Sequence, residues 1–284
     1  MKGSFELKSK LLGILSTLVS FTVLGALAFI LFDIARHGLS GLSWSFLVDE
    51  PANAGRTGGI GPIILSTAYI LLIAMAVSLP IGLATALWLS EFTKTTGPFA
   101  EFVRKSLDIL AGVPSIVFGL FGNAFFCVYL GMGFSILSGG LTLACMVLPI
   151  LIRVTEESFR SVPIELRQGT AALGMSKTSN IFFIMIPVAF PGLLAGTLLG
   201  FGRAIAETAA LIFTSGYVDR WPESAMDSGR SLSVHIYDLA MNVPGGDAQA
   251  YATSLYLVII LLLVGGCSSL LVGLHLRKKG FQYE

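Results

Sequence analysis

Arg203 and Glu207 stand four residues apart in the stretch GRAIAETAALIF at 202–213. The nearest charges outside it are Lys177 and Asp219. Residues i and i+4 share a helix face, so the spacing predicts a direct ion pair on one helix. A lone charge at the centre of a bilayer helix costs about 2.5–3.5 kcal/mol on insertion scales, and a partner lowers that cost. Two chemistries fit the pair. It is a packing device between helices, or it lines a path for an anion. Arginine offers a planar fork of donors that matches phosphate oxygens two at a time. A resident glutamate would hold that fork when the path is empty and help the ion leave.

The setting of the pair is a membrane. Hydrophobic residues make up 54% of the 284 residues and charged ones 12%, against roughly a quarter charged in soluble domains. A helix needs about 20 apolar residues to cross a bilayer core. Uncharged runs cover 11–32, 57–90, 109–152 (long enough for two spans), 178–202 and 248–274. Short alternating segments of the barrel kind are absent. The reading is an all-α integral membrane protein, one transmembrane domain over 1–284 with six helices at about 11–33, 62–90, 107–130, 135–153, 190–214 and 251–275. The first run exceeds a signal-peptide core and no small-residue cleavage site follows it, so it is expected to be retained.

Lysine and arginine gather on the cytoplasmic side of membrane proteins. Lys2, Lys8 and Lys10 precede the first helix. Lys94, Arg104 and Lys105 follow the second. Arg153, Arg160, Arg167 and Lys177 follow the fourth, and Arg277, Lys278 and Lys279 the sixth. The intervening loops hold fewer cations and eight of the seventeen acids. Both termini are therefore expected in the cytoplasm. Net charge of +1 argues against nucleic acid as a partner. Cys127, Cys145 and Cys267 all fall in spans and read as small apolar packing, with no metal site. No G-x-x-x-x-G-K-[ST] pattern occurs, so ATP would have to be bound by another chain.

The cytoplasmic segment 154–187 reads as two short helices outside the bilayer. VTEESFRSVP suits one ended before Pro163, and PIELRQGTAAL a second that stops at Gly174. Its Ala, Leu, Ile and Phe content argues against disorder, and a docking element for a partner fits. The later stretch SLSVHIYDLA, at 231–240, reads as a short amphipathic helix at the interface.

This segment resembles the permeases of ABC importers, whose cytoplasmic loop carries E-A-A, a glycine and I-x-L-P. Gly174 fits the glycine. Ile184, Ile186 and Pro187 fit the end, with Ile for Leu. The E-A-A positions read Gln168, Gly169 and Thr170, without the acid. The phrases AGVPSIVFGLFG, VLPILIRVTEESFRSVP and GRAIAETAALIFTSGY together resemble the phosphate-specific (Pst) permeases, and ETAA with SLSVHIYDLA the PstA-like branch. The similarity covers roughly 60–275.

The resemblance implies a type I ABC importer fold, with 155–185 as a coupling helix that docks in an ATPase. That element would carry Gln168, Gly169, Thr170, Gly174, Ile184 and Pro187. It implies a transport subunit and not an enzyme, holding no cofactor of its own, in a bacterial inner membrane. The partners implied are an ABC ATPase dimer, a second related permease and an extracytoplasmic phosphate-binding protein, with lipid around them. Arg203, Glu207 and Arg153 become candidates for the phosphate path. Arg153 also reads as an interface anchor by snorkelling, Ser115 and Asn123 as packing, and Asp108 as a helix-start charge. The rivals are a permease for sulfate, molybdate or phosphonate, a secondary transporter, and a membrane-embedded enzyme. Broken mid-membrane helices would favour the secondary transporter, and none is expected from the sequence.

Overall fold

A computed structural model describes residues 2–93 and 97–278; Lys94 and Lys279 lie outside them. In chain order the elements are α1 (Lys2–Gly38), α2 (Trp44–Val48), a two-stranded hairpin of β1 (Pro51–Ala52) and β2 (Thr57–Gly58), and α3 (Gly61–Leu87), which ends in a π turn, Trp88–Phe92. Then come α4 (Pro98–Ala111), α5 (Ser115–Gly122) with a π extension Asn123–Tyr129, α6 (Ile136–Arg160) and α7 (Ile164–Ala172). One continuous rod follows, made of α8 (Lys177–Asn180), a π turn Ile181–Met185 and α9 (Ile186–Ile205). Beyond it lie α10 (Ala209–Ile212), α11 (Leu232–Met241) and α12 (Asp247–Lys278).

Among the described residues five helices are long and apolar enough to cross a bilayer, and the pair Pro98–Ala111 and Ser115–Tyr129, bent by 101°, makes a sixth if its two halves count as one span. The chain thus folds as an all-α bundle of the expected kind, with boundaries that differ from the sequence reading. The expected third helix, 107–130, is two helices. Gly112-Val113-Pro114 breaks it, because the proline ring clashes with a helical residue before it. α4 is amphipathic: Phe99, Phe102 and Ile109 are exposed on it beside Lys105 and Glu101. The expected short helix at 154–162 does not stand alone but continues α6 to Arg160. The fifth span starts at Lys177, not at 190, and stops at Ile205 instead of running to 214. Apolar runs are therefore broken at 112–114 and after Ile205, against expectation.

The α6–α9 contact sets the register of the bundle. Gly192, Gly196 and Gly200 form a G-x-x-x-G-x-x-x-G column. A Cβ on Gly192 would lie 2.2 Å from the Ser158 hydroxyl, one on Gly196 3.1 Å from Val154, and one on Gly200 2.7 Å from Val147. Small residues let helix backbones approach closely in lipid, where burial alone supplies no force between helices. The largest core cluster grows from this contact: Leu143, Met146, Val147 and Leu151 of α6 meet Ile70 and Ala74 of α3 and Ala204 and Ile205 of α9.

Gly202 tests the same column by contrast, because nothing lies within 4 Å of a Cβ there. Gly200→Leu should lower the thermal stability of the detergent-solubilised protein by about 1–3 kcal/mol of overpacking. Gly202→Ala should leave it within error. Equal loss in both variants would contradict the packing assignment.

Candidate functional site

The break after α9 is the first part of the site. Several of the backbone groups that it exposes find partners, as a bilayer demands. The Glu207 N–H bonds Ala204 O at 3.2 Å, and Ile212 N–H bonds Thr208 O at 3.1 Å. The Glu207 carbonyl accepts from the Ser233 hydroxyl, near the start of α11. The Glu207 carboxylate accepts from the Ala210 N–H at 3.2 Å. Glu207 therefore caps α10. It does not sit on a helix face with Arg203, and the predicted i,i+4 ion pair does not form among the described residues.

Arg203 takes a different environment. It is exposed, in a column with exposed Ala195, Leu199 and Ala206 that runs beside the glycine column. Among the described residues its guanidinium has no hydrogen bond or ion pair. Its depth follows from the register. Val147 lies eleven residues into α6, about 16 Å from the Ile136 end at 1.5 Å per residue. Gly200 faces Val147, and Arg203 lies one turn nearer that end, about 12 Å in. An unpaired guanidinium at that depth is costly against lipid. Its stable surroundings are a water-filled cavity or another chain.

Near the break, α11 enters the bundle. It is a short helix as predicted, but it does not lie on the interface. Leu232, Val234 and Leu239 are buried, and Leu232 N–H bonds the Thr67 hydroxyl of α3 at 2.9 Å. Arg230 sits just before it, 8% exposed. Its Nε donates to Tyr217 O at 2.9 Å, and Nη1 lies 3.2 Å from His235 Nδ1 and 3.1 Å from Asp238. Burial, then the Arg230 charge, drives the His235 pKa from 6.5 down to about 3.

The opposite end of the bundle gathers charge. Glu156, almost fully buried, pairs with Arg104 at 2.8 Å and Arg160 at 2.9 Å. Arg153 pairs with Asp108 at 2.9 Å, both exposed. Asp108 thus lies in the last turn of α4 and not at a helix start, where Arg153 offsets its poor fit to the helix dipole. Arg153 lies within α6, not at its end, and borders a polar pocket of about 340 Å³ with Arg104, Glu156, Glu157 and Arg160. Asn123 donates to Phe213 O at 2.8 Å, a packing role. Ser115 is half-buried at the start of α5.

The segment read as a docking element forms α7. Gln168 and Gly169 are exposed, and Thr170 is buried. Leu173 is 81% exposed at the end of the helix, and Gly174 stops it with φ of +70°. Ile184 lies in the π turn. Pro187 follows at the start of α9, where a missing N–H accounts for the widened turn before it. Sequence reasoning missed Glu91, Arg104 and Arg167. Arg167 reaches Glu91 at 2.6 Å across 76 positions, and no local pattern connects them.

Known proteins share this architecture. The profile for the family described as "Binding-protein-dependent transport system inner membrane component" matches residues 78–279. The "Phosphate transport system permease protein PstA" of Xylella fastidiosa (strain Temecula1) is 32% identical over 239 residues, 83% of this chain and 82% of the relative. The "Probable ABC transporter permease protein YqgI" of Bacillus subtilis (strain 168) is 29% identical over 272 residues, 90% of this chain and 91% of the relative. An inward-facing MetNI methionine ABC transporter chain superposes with a TM-score of 0.60 over 76% of this chain and 94% of that one, at 16% identity, a likeness of fold. The chain belongs to the family of binding-protein-dependent transport system inner membrane components. It is a transport component with the type I ABC importer permease fold, and membership implies an ATPase and a substrate-binding protein as partners.

His235 gives this geometry a pH signature. Its folded pKa lies below the unfolded value, so its contribution to stability is present above pH 6.5 and is lost as pH falls towards about 3. The slope is about 1.4 kcal/mol per pH unit in that window. Tm of the solubilised protein should drop below pH 6.5, and His235→Gln should flatten the drop. Identical slopes in the two proteins would contradict a buried neutral ring.

Proposed function

We propose that this chain is a permease subunit of an ATP-driven phosphate importer and forms half of the translocation path. The carrying observation is Arg203, an exposed cation about 12 Å in from the Ile136 end of α6 with no partner among the described residues. Paired with a second permease, that face would close around a wet path. The guanidinium fork would meet phosphate oxygens two at a time. Without an internal ion pair it is available to the anion from the start. Glu207 shapes the path through the break it caps and does not hold Arg203. Arg153, tied to Asp108 beside the polar pocket, stands near the other mouth. The relatives named as phosphate transport system permeases support phosphate over sulfate, molybdate or phosphonate. Helix breaks would have favoured a secondary transporter; breaks occur, but within a chain of the binding-protein-dependent family.

The ATPase dimer would dock on α7, through Gln168, Gly169 and Thr170, with Gly174 ending the helix and Ile184 and Pro187 leading back into the membrane. This chain would bind no cofactor, ATP being held by the partner. Phosphate would arrive from an extracytoplasmic binding protein at the 206–247 side. Both termini and α7 would then lie in the cytoplasm of a bacterium with this chain in its inner membrane. The single domain spans 1–284, with 155–185 as its coupling part.

The reading is tested by uptake of labelled phosphate into liposomes holding the full complex. ATP-dependent uptake that unlabelled phosphate suppresses and sulfate does not is the expected result; equal suppression by sulfate would reassign the ion. Docking has its own variant. A Cβ at Gly169 meets nothing within 4 Å, so Gly169→Leu fits the isolated chain. It should insert normally and lose most ATPase capture in a pull-down. Normal capture would place the docking surface elsewhere.

A further inference from the structure

Three cations from three helices converge on one turn, the π turn Trp88–Phe92 that ends α3. Arg167 of α7 donates through Nη1 to Glu91 Oε1 at 2.6 Å. Lys177, the first residue of α8, donates to the Glu91 carbonyl and sits 4.1 Å from the centre of the Phe92 ring. Arg104 of α4 donates through Nη2 to the Leu89 carbonyl at 3.0 Å. The last carbonyls of a helix lack partners and carry its negative dipole end, so cations are stabilising there. The carboxylate of Glu91, 10% exposed, adds a full charge to that end.

We propose that Glu91 is a positioning residue for transport: through it the docking helix α7 moves α3, so that ATPase closure reaches the translocation path by way of the Trp88–Phe92 turn. The inference rests on the reading that α7 docks an ATPase. Packing gives α7 little grip, because Thr170 is its one buried residue. Its grip comes from Arg167, whose guanidinium bonds Glu91, the Phe159 carbonyl and, at 3.4 Å, the Val162 carbonyl. α7 and the turn that follows it are thus fastened to residues 91–92, by Arg167 within the helix and Lys177 beyond it. A push on α7 is carried to α3 as well as along the chain into α9. An apolar cavity of about 560 Å³ between α3 and the end of α9, lined by Leu71, Met75, Phe201 and Ile205, leaves room for α3 to shift against α9.

The test uses the assembled complex in liposomes and reads phosphate imported per ATP hydrolysed. Arg167→Gln and Glu91→Gln should both keep ATPase capture and continued ATP hydrolysis. Phosphate imported per ATP should fall about tenfold, the factor expected for one lost hydrogen bond between charged groups. The reversed pair, Glu91→Arg with Arg167→Glu, should recover part of the ratio. An unchanged ratio in the single variants overturns the proposal. Loss of ATPase capture also overturns it, since Arg167 would then belong to the docking surface itself. If the single variants fail to accumulate, Lys177→Met, which leaves the Glu91–Arg167 pair in place, should still lower the ratio, and an unchanged ratio there is equally fatal. Failure of the unaltered chain to capture the ATPase would sink the docking reading, and this inference with it.

Discussion

The close approach of α9 to α6 through Gly192, Gly196 and Gly200 is the contact on which the rest depends. In lipid, helices gain little from hiding apolar surface and gain instead from tight backbone packing. Three glycines at intervals of four provide that packing and leave no freedom to slide. They fix how far α9 reaches along α6, and so the depth of Arg203. They also bring Ile205 into the core formed with Ile70, Leu143 and Val147. The helix can then stop inside the membrane, because Ser233 and Ala210 bond the Glu207 groups that the stop exposes.

The two ends of the bundle use charge differently. At the α11 end, Arg230, Asp238 and His235 are enclosed and tie a loop into the core. At the α7 end, Arg104, Arg167 and Lys177 meet carboxylates and helix-end carbonyls on neighbouring elements. Those pairs cross element boundaries and join α3, α4, α6 and α7 into one unit. Between them stands Arg203, which among the described residues has no hydrogen bond or ion pair.

The spans were legible as uncharged runs, since no other composition crosses a bilayer. The helix α7 and its stop at Gly174 were legible from Pro163, good helix formers and a glycine that adopts φ of +70°. The bend at 112–114 carried a signal in Gly-Val-Pro, but the apolar run continued through it and hid the change of direction. The stop at Ile205 carried none. RAIAETAALIF is made of good helix formers, and its break depends on Ser233, 26 residues away, and on Ala210 lying against Gly119. The i,i+4 argument for Arg203 and Glu207 failed for that reason: it assumed a helix that tertiary bonds interrupt. Glu91 and Arg167 were invisible because a spacing of 76 positions has no periodicity to read.

The central claim is that Arg203 meets the transported anion. Phosphate uptake by complexes carrying Arg203→Gln or Arg203→Lys tests it most directly, with membrane abundance and ATPase capture measured alongside. The account predicts that Arg203→Gln assembles normally and imports almost no phosphate. Arg203→Lys, which keeps the charge and loses the two-pronged donor geometry, should retain a small part of the uptake. Near-normal uptake by Arg203→Gln in an assembled complex would contradict the claim and leave Arg203 as part of the contact between subunits.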